Sequence, residues 1–201
     1  MQPTTVVSDG VLMLITFGLT VMLLRQKRSV DRVNGALGIF LTGLAALSGV
    51  IRYGWIESLE PTHAFLTAAA GQVGTPLIAL SFFHVYSGRL SDKRFWFTTW
   101  AVLIALMLVF QMMVPFPNYS IAIGGVSMVG IIAIGFASIS RDKQAALLAI
   151  AGAAVMMIAG LVIGGEGEWS GFLRLDCFHY AVSLGFLAMG FALSRMNFKS
   201  Q

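Results

Sequence analysis

The chain has 201 residues, of which 57% are hydrophobic and only 11% are charged, and its mean hydropathy is +0.83. Because soluble domains carry about 25% charged residues, this composition excludes a protein with an ordinary water-facing surface. The single cysteine, Cys177, excludes an internal disulfide and any cysteine-rich metal motif. The net charge of +4 comes from basic residues between apolar runs, which indicates membrane topology rather than nucleic-acid binding.

Seven apolar runs follow one another along the chain, each close to the ~20 residues that a helix needs to cross a bilayer. We therefore predict an all-α, polytopic membrane protein, a single domain over 1–201 built as a bundle of seven transmembrane helices. The predicted spans lie near 8–25, 33–54, 62–86, 95–114, 119–139, 144–164 and 173–194. The connections between them are too short to hold a soluble domain.

The basic residues fall on one side of this arrangement. Of the 13 Lys and Arg residues, only Arg52 and Arg174 lie on the opposite side. The other 11 are Arg25, Lys27, Arg28, Arg32, Arg89, Lys93, Arg94, Arg141, Lys143, Arg195 and Lys199. The positive-inside rule then predicts an N-terminus outside and a C-terminus in the cytoplasm. The compact loops favour a bacterial plasma (inner) membrane.

Small residues at helical spacing predict the faces on which helices approach each other closely. The three stripes are Gly38, Thr42, Ala45 and Gly49 in the second span; Thr67, Gly71 and Gly74 in the third; and Ala149, Gly152, Gly160 and Gly164 in the sixth. Pro76 should kink the third span and free a backbone carbonyl, for which Gln72 is a candidate partner. The residues Trp55, Trp96, Trp100, Trp169 and Tyr119 are expected to anchor span ends at the interface.

Ionisable and polar residues inside spans are the natural candidates for function, because they are costly in lipid. Asp176 precedes His179 by three residues, so both share a helix face with Tyr180, and Asp176 can orient the imidazole. Ser48, Arg52 and His63 should lie at the same outer depth. We predict an outer-side ligand pocket formed by Ser48, Arg52, His63, Asp176, His179 and Tyr180.

A structural interpretation of the same residues stays open. Arg52 can bridge to Asp176 and tie the second span to the seventh, and charges at helix ends can snorkel to the interface. His84 lies roughly 30 Å from His63 along the third span. It is expected to be a structural residue that Ser81 and the nearby loop satisfy.

At these residues the chain resembles the alkaline ceramidase and adiponectin/progestin receptor (CREST) superfamily. Ser48-x-x-x-Arg52 stands where that family has Ser-x-x-x-His, and His63 stands near the place of its Asp. Leu175-x-x-x-His179 stands where the family has a His-x-x-x-His pair. The resemblance implies a seven-helix bundle and, in active members, zinc-dependent hydrolysis of lipid amides.

A bound catalytic zinc ion is kept as an alternative, but it is not what the sequence predicts. A catalytic zinc needs about three protein ligands and an open position, and arginine cannot serve as one because it stays protonated. The remaining possible set is His63, Asp176 and His179. We therefore predict no cofactor.

Three functions remain open. The first is a non-enzymatic membrane protein that binds membrane lipids, or another membrane protein as an accessory subunit, in the outer polar pocket. The second is a membrane hydrolase of lipid amides or esters, with Asp176 and His179 as catalytic candidates. The third is a transporter or proton conductor that uses Asp176, His179 and Gln72. A retinal chromophore is excluded, since the seventh span contains no lysine.

Overall fold

The computed structural model describes residues 2–26, 29–88, 92–113 and 118–196. Within these residues, seven helices are long and apolar enough to cross a membrane, which agrees with the predicted all-α class and with the predicted number of membrane-length helices. They are α1 (Pro3–Arg25), α2 (Val30–Gly54), α3 (Glu57–Ser87), α4 (Lys93–Gln111), α5 (Tyr119–Ser138), α6 (Lys143–Ile163) and α7 (Arg174–Arg195). The predicted span end at Val114 and the basic residues Lys27, Arg28, Arg89 and Lys199 lie outside the described residues.

Three helices begin at side-chain N-caps, which satisfy amide groups that the first turn leaves unpaired. Ser29 accepts from the Arg32 amide at 3.1 Å, and Asp92 and Asp142 cap α4 and α6 in the same way. The Ser29 cap explains why α2 begins at Val30 rather than near 33. At the other end of the bundle, Pro3 occupies the first turn of α1, where its missing N–H is harmless, so α1 begins five residues earlier than predicted.

Six helices form a closed ring in the order α1, α2, α3, α5, α6, α7, and α4 lies outside it against α3. We call the end of the bundle where α1 begins the N-terminal face, and the opposite end the C-terminal face. The middle of the bundle is apolar, with Leu12, Leu19, Ile39, Phe186 and Met189 buried together. The polar residues of interest therefore lie toward one end or the other.

Close helix contacts depend on glycine at two places. A Cβ on Gly38 would meet the Gly74 carbonyl oxygen at 2.5 Å, and a Cβ on Gly74 would meet that of Gly38 at 2.7 Å. Gly152 and Gly185 stand in the same reciprocal relation between α6 and α7. The predicted packing role of Gly38, Gly74 and Gly152 is confirmed, because only a residue without a side chain permits such backbone contact.

The end of the sixth-span stripe was predicted wrongly as a packing face. A Cβ on Gly160 or Gly164 would meet nothing within 4 Å, because these residues border an open cleft. The helix here changes into a π-helical turn, Ala159–Ile163.

The third helix accommodates Pro76 through a second π-helical turn. It starts as a 3-10 turn, Glu57–Leu59, continues as α-helix over Glu60–Ala69, passes through the π turn Ala70–Gly74 and resumes as α-helix over Thr75–Ser87. Such turns absorb a local defect in the hydrogen-bond ladder and recur at functional sites. Gln72 was predicted to partner a freed backbone group, and this was wrong. Its amide donates to Ser120 of α5 at 2.7 Å. A third π turn, Val109–Met113, ends α4.

Two tryptophans predicted as interface anchors instead fasten α4 to α2. The indole N–H of Trp96, which is only 3% exposed, donates to Asp31 at 2.9 Å. Trp100 donates to Asn34 at 2.6 Å. Trp55, by contrast, is 70% exposed at the N-terminal face, as an anchor would be.

His84 lies beside this contact and is packed by rings rather than satisfied by Ser81. Its imidazole stands edge-on to Phe95 at 4.7 Å between centroids, and its Nδ1 has no hydrogen-bond partner in the described part of the chain. Ser81 donates to backbone oxygens of Leu77 and Asp31 instead. The prediction for Ser81 was wrong because a helical serine readily bonds its own helix.

The connection between α6 and α7 forms a small hairpin. Strands β1 (Glu168–Trp169) and β2 (Phe172–Leu173) pair antiparallel. The turn residues Ser170 and Gly171 have φ of 52° and 83°, as a two-residue hairpin turn requires.

Candidate functional site

A buried polar cluster joins α1 to α7 at the N-terminal face. Ser8 of α1 lies 3.0 Å from a carboxylate oxygen of Asp176 and 3.1 Å from Nδ1 of His179, both on α7. His179 can donate to Ser8, and the single Ser8 proton has two acceptors, the Asp176 carboxylate and the Thr5 carbonyl oxygen at 3.1 Å on the same helix. Asp176 and His179 share a helix face as predicted, but a hydroxyl group from another helix stands between them.

Asp9 belongs to the same cluster and is 1% exposed. Its Oδ1 lies 3.5 Å from Nδ1 of His179, and its Oδ2 has no hydrogen-bond partner among the described residues. The carboxyl group occupies the space that a side chain on Gly49 would fill, since a Cβ there would meet the Asp9 Cγ at 2.8 Å. The glycine of α2 therefore makes the pocket into which the carboxyl group of α1 fits.

Ser48 and His63 form a separate pair between α2 and α3. The Ser48 hydroxyl donates to the Ala45 carbonyl oxygen at 2.6 Å, and His63 Nδ1 lies 3.0 Å from the Ser48 oxygen and 3.2 Å from the Ala45 oxygen. The Ser48 proton is thus directed at a backbone carbonyl, and His63 serves as the donor. This arrangement holds two helices together rather than activating the serine as a nucleophile, since activation needs the hydroxyl to donate to the imidazole.

Arg52 lies at the mouth of the site and pairs with Glu60 at 2.9 Å. Its guanidinium also stands 4.9 Å from the centre of the Tyr53 ring, within the range of a cation–π contact. Arg52 faces a surface pocket of about 200 Å³, whose other walls are Gln2, Tyr53, Gly54, Trp55 and Glu57. We call this the Arg52 pocket.

The structure divides the pocket predicted from the sequence into three parts. Asp176 and His179 join α1, Ser48 pairs with His63, and Arg52 opens onto the surface. The alternative of an Arg52–Asp176 bridge was wrong, because the ion pair that Arg52 forms within the described residues is with Glu60. Tyr180 is 42% exposed, whereas Asp176 and His179 face the buried cluster.

Two residues of the cluster, Ser8 and Asp9, were not predicted as site residues. The signal for Asp9 was an ionisable residue beside the first apolar run. With the first span predicted to start near 8, Asp9 was placed at the helix end, where a charge is unremarkable. In the structure, α1 starts at Pro3 and carries Asp9 well inside the helix. No comparable signal exists for Ser8, since serine is common in membrane helices.

The residues present do not fit the zinc ion that the CREST resemblance implies. No group of three His, Cys, Asp or Glu side chains in the described ranges is placed to hold a metal ion, so His63, Asp176 and His179 do not form the set considered from the sequence. Arg52, in the place of a family ligand, is engaged with Glu60.

The buried cluster is also a poor nucleophilic relay. In a Ser-His-Asp relay the serine and the carboxylate contact different imidazole nitrogens. Here Ser8 and Asp9 both approach Nδ1 of His179, at 3.1 and 3.5 Å. Ser8 is fully buried, so a substrate has no route to its hydroxyl.

Comparisons of the chain with protein-family models, with curated proteins and with solved structures find no match. The resemblance to the CREST superfamily stays a prediction.

Proposed function

We propose that this chain is a non-enzymatic integral membrane protein that binds the headgroup of a zwitterionic, amine-bearing phospholipid in the Arg52 pocket. One observation carries the proposal: Arg52 and Glu57, of opposite charge, line the same pocket of about 200 Å³ at the end of the bundle. A phosphate group suits the guanidinium of Arg52. The ammonium group of the same lipid suits Glu57.

The surroundings of Arg52 support a headgroup site. The partner of Arg52, Glu60, has a side chain that is 64% exposed, and an exposed ion pair is worth ~0–1 kcal/mol, so a phosphate can compete for the guanidinium. The exposed Trp55 lies in the same pocket, and tryptophan favours the headgroup level of a bilayer.

Two alternatives have less support. A hydrolase needs an accessible nucleophile or an activated water, whereas Ser8 is buried and the Ser48 hydroxyl is directed at a carbonyl. A proton conductor needs polar groups that continue across the membrane. Below the cluster the ring is filled mainly by Leu12, Leu19, Phe186 and Met189, and the buried hydroxyl groups of Thr16 and Thr20 donate to carbonyl oxygens of their own helix.

The orientation follows from the distribution of charge. Since 11 of the 13 basic residues belong to the C-terminal-face side in the seven-span arrangement, this side is proposed to be cytoplasmic. The Arg52 pocket then faces the outer leaflet, and the host membrane is proposed to be a bacterial plasma membrane.

Native mass spectrometry of the detergent-purified chain tests the proposal. Dioleoyl phosphatidylethanolamine, which carries the ammonium group, is compared with dioleoyl phosphatidylglycerol, which lacks it. We expect Arg52→Gln to weaken binding of both lipids at least tenfold, because one charge-assisted contact is lost. Glu57→Gln should weaken only phosphatidylethanolamine.

Arg174→Gln is the matched control, since Arg174 also lies at the N-terminal face but donates to the Val162 carbonyl oxygen at 2.7 Å. Equal loss in Arg174→Gln would show unspecific charge attraction and would overturn the site. Equal binding of the two lipids would overturn the role of the ammonium group. Saturable binding of neither lipid would overturn the lipid-binding function and leave a membrane protein partner as the ligand to seek.

A further inference from the structure

A second opening lies on the other side of α7 from the buried cluster. It is a cleft of about 290 Å³ between α3, α5, α6 and α7. Its walls include Gly124, Gly125, Gly160 and Gly164, and a Cβ on any of these four would meet nothing within 4 Å. The space is therefore open, and residues without side chains keep it so. We call it the glycine cleft.

The lining of the glycine cleft is uncharged. Its larger apolar members are Ile121, Met128, Met156, Met157, Leu161 and Phe178. Methionine adapts its shape to irregular ligands. A charged headgroup would lose its hydration here without a partner, so the lining favours a neutral ligand with an apolar chain.

One polar corner distinguishes this cleft from a packing defect filled by bulk lipid. Ser120 lines the cleft and accepts a hydrogen bond from the Gln72 amide at 2.7 Å. Gln72 is only 3% exposed, and its Oε1 has no hydrogen-bond partner among the described residues. A buried amide oxygen without a partner is unusual in a folded chain, and the nitrogen of the same amide is bonded to Ser120, which lines the cleft.

The hydroxyl group of Ser120 is also available as a donor. Other helical serines donate to a carbonyl oxygen three or four residues earlier, as Ser194 does to Phe191 at 2.8 Å and Ser127 does to Ile123 at 2.7 Å. Ser120 is the second residue of α5. Within the described residues its recorded hydrogen bond is the one it accepts from Gln72.

The size and depth of the cleft fit one chain in one leaflet. From Ser120 to Met128 the cleft follows α5 for eight residues, which is about 12 Å at 1.5 Å per residue. Half of a ~30 Å hydrocarbon core is about 15 Å. Two π-helical turns, Ala70–Gly74 and Ala159–Ile163, border the cleft on opposite helices, and such turns recur at functional sites.

We infer that the glycine cleft binds a neutral, single-chain lipid of the monoacylglycerol type, with an ester or hydroxyl oxygen hydrogen-bonded to Ser120 and the acyl chain along α5. This site is separate from the Arg52 pocket and takes an uncharged ligand.

Photolabelling of the full chain in detergent tests the inference. The probe is a monoacylglycerol with a diazirine in its acyl chain, competed with unlabelled monoacylglycerol, and the comparison probe is the fatty acid of the same chain. We expect saturable labelling by the neutral probe only. Ser120→Ala should weaken labelling about five- to tenfold, the effect of one lost hydrogen bond, whereas Ser127→Ala, on the same helix, should not.

Filling the cleft provides an independent measurement. Gly124→Leu and Gly160→Leu should abolish saturable labelling, because the side chain occupies the open space. Gly130→Leu is the control: it lies on α5 outside the cleft, and a Cβ there would also meet nothing within 4 Å. A monodisperse Gly124→Leu protein that is labelled like Gly130→Leu overturns the site. Equal labelling by the fatty acid overturns the neutral-ligand assignment. Arg52→Gln should change none of these results, so failure here is distinguishable from failure of the headgroup proposal.

Discussion

Ser8 and Asp176 are separated by 168 positions in the sequence, yet the hydroxyl group of Ser8 lies 3.0 Å from the Asp176 carboxylate. This contact joins the first and last helices and closes the ring at the N-terminal face. His179 enters the same contact through its Nδ1, 3.1 Å from the Ser8 oxygen. The cluster thus acts first as a fastening between helices, since each hydrogen bond inside a bundle replaces an unpaired group in an apolar medium.

Removing the Ser8 hydroxyl should destabilise the bundle. We expect Ser8→Ala to lower the free energy of unfolding by about 1–2 kcal/mol, because Asp176 and His179 both lose a buried partner. The measurement is unfolding in mixed micelles followed by circular dichroism. Ser194→Ala is the control, since Ser194 is bonded only to its own helix in the described residues, to Phe191 at 2.8 Å. Equal effects of the two variants would contradict a fastening role for Ser8.

Replacing Gly49 by alanine should lower the free energy of unfolding, whereas replacing Gly18 by alanine should raise it. A Cβ on Gly49 would overlap the Asp9 carboxyl group, whereas on Gly18 it would meet nothing within 4 Å. We expect Gly49→Ala to destabilise by about 1–3 kcal/mol through overpacking. Gly18→Ala should stabilise by ~0.5–1 kcal/mol through the higher helix propensity of alanine. The same unfolding assay measures both, and a stable Gly49→Ala protein would contradict the placement of Asp9.

The hydrogen bond between Trp100 and Asn34 should appear as coupling in a double-mutant cycle. Trp100→Phe, Asn34→Ala and the double variant are expected to show a coupling free energy of about 0.5–1.5 kcal/mol, the value of one intramolecular hydrogen bond. Trp169→Phe is the matched control, because Trp169 is exposed in the hairpin and should not couple to Asn34. A coupling indistinguishable from this control would mean that α4 is held to α2 without this bond.

The proposed orientation can be tested with a membrane-impermeant maleimide on intact cells. In a Cys177→Ser background, Glu168→Cys in the hairpin should be labelled from outside. Asp142→Cys at the start of α6 should be labelled only after the cells are opened, because the basic face is proposed to be cytoplasmic. The reverse pattern would place the Arg52 pocket on the cytoplasmic side and contradict the proposed outer-leaflet site.

The helices were predictable because their signal is local. A run of apolar residues needs only its own length and composition to qualify as a span, and the seven predicted runs all correspond to helices in the structure. The helix starts were less predictable, since they depend on caps such as Ser29 and on Pro3 in the first turn. The shift at Pro3 had a functional consequence, because it carries Asp9 into the bundle.

Only half of the buried polar cluster could be predicted from the sequence. Asp176 and His179 were identified from their spacing on one helix, which a sequence displays directly. Their partners Ser8 and Asp9 come from a helix at the other end of the chain, and the space for Asp9 comes from Gly49 on a third. Gly160 shows that spacing can also mislead. Its spacing on the helix is that of a packing residue, but a Cβ there would meet nothing within 4 Å.

The sequence by itself determined the number of membrane-length helices and their approximate ends, because the exclusion of charge from hydrocarbon acts on each segment separately. Only the tertiary structure decided which polar residues meet, which glycines pack and which leave open space. Those outcomes depend on the neighbours and rotation of each helix in the ring. Helices in lipid associate through contacts between specific side chains and backbones rather than through a hydrophobic pattern that a single segment reveals.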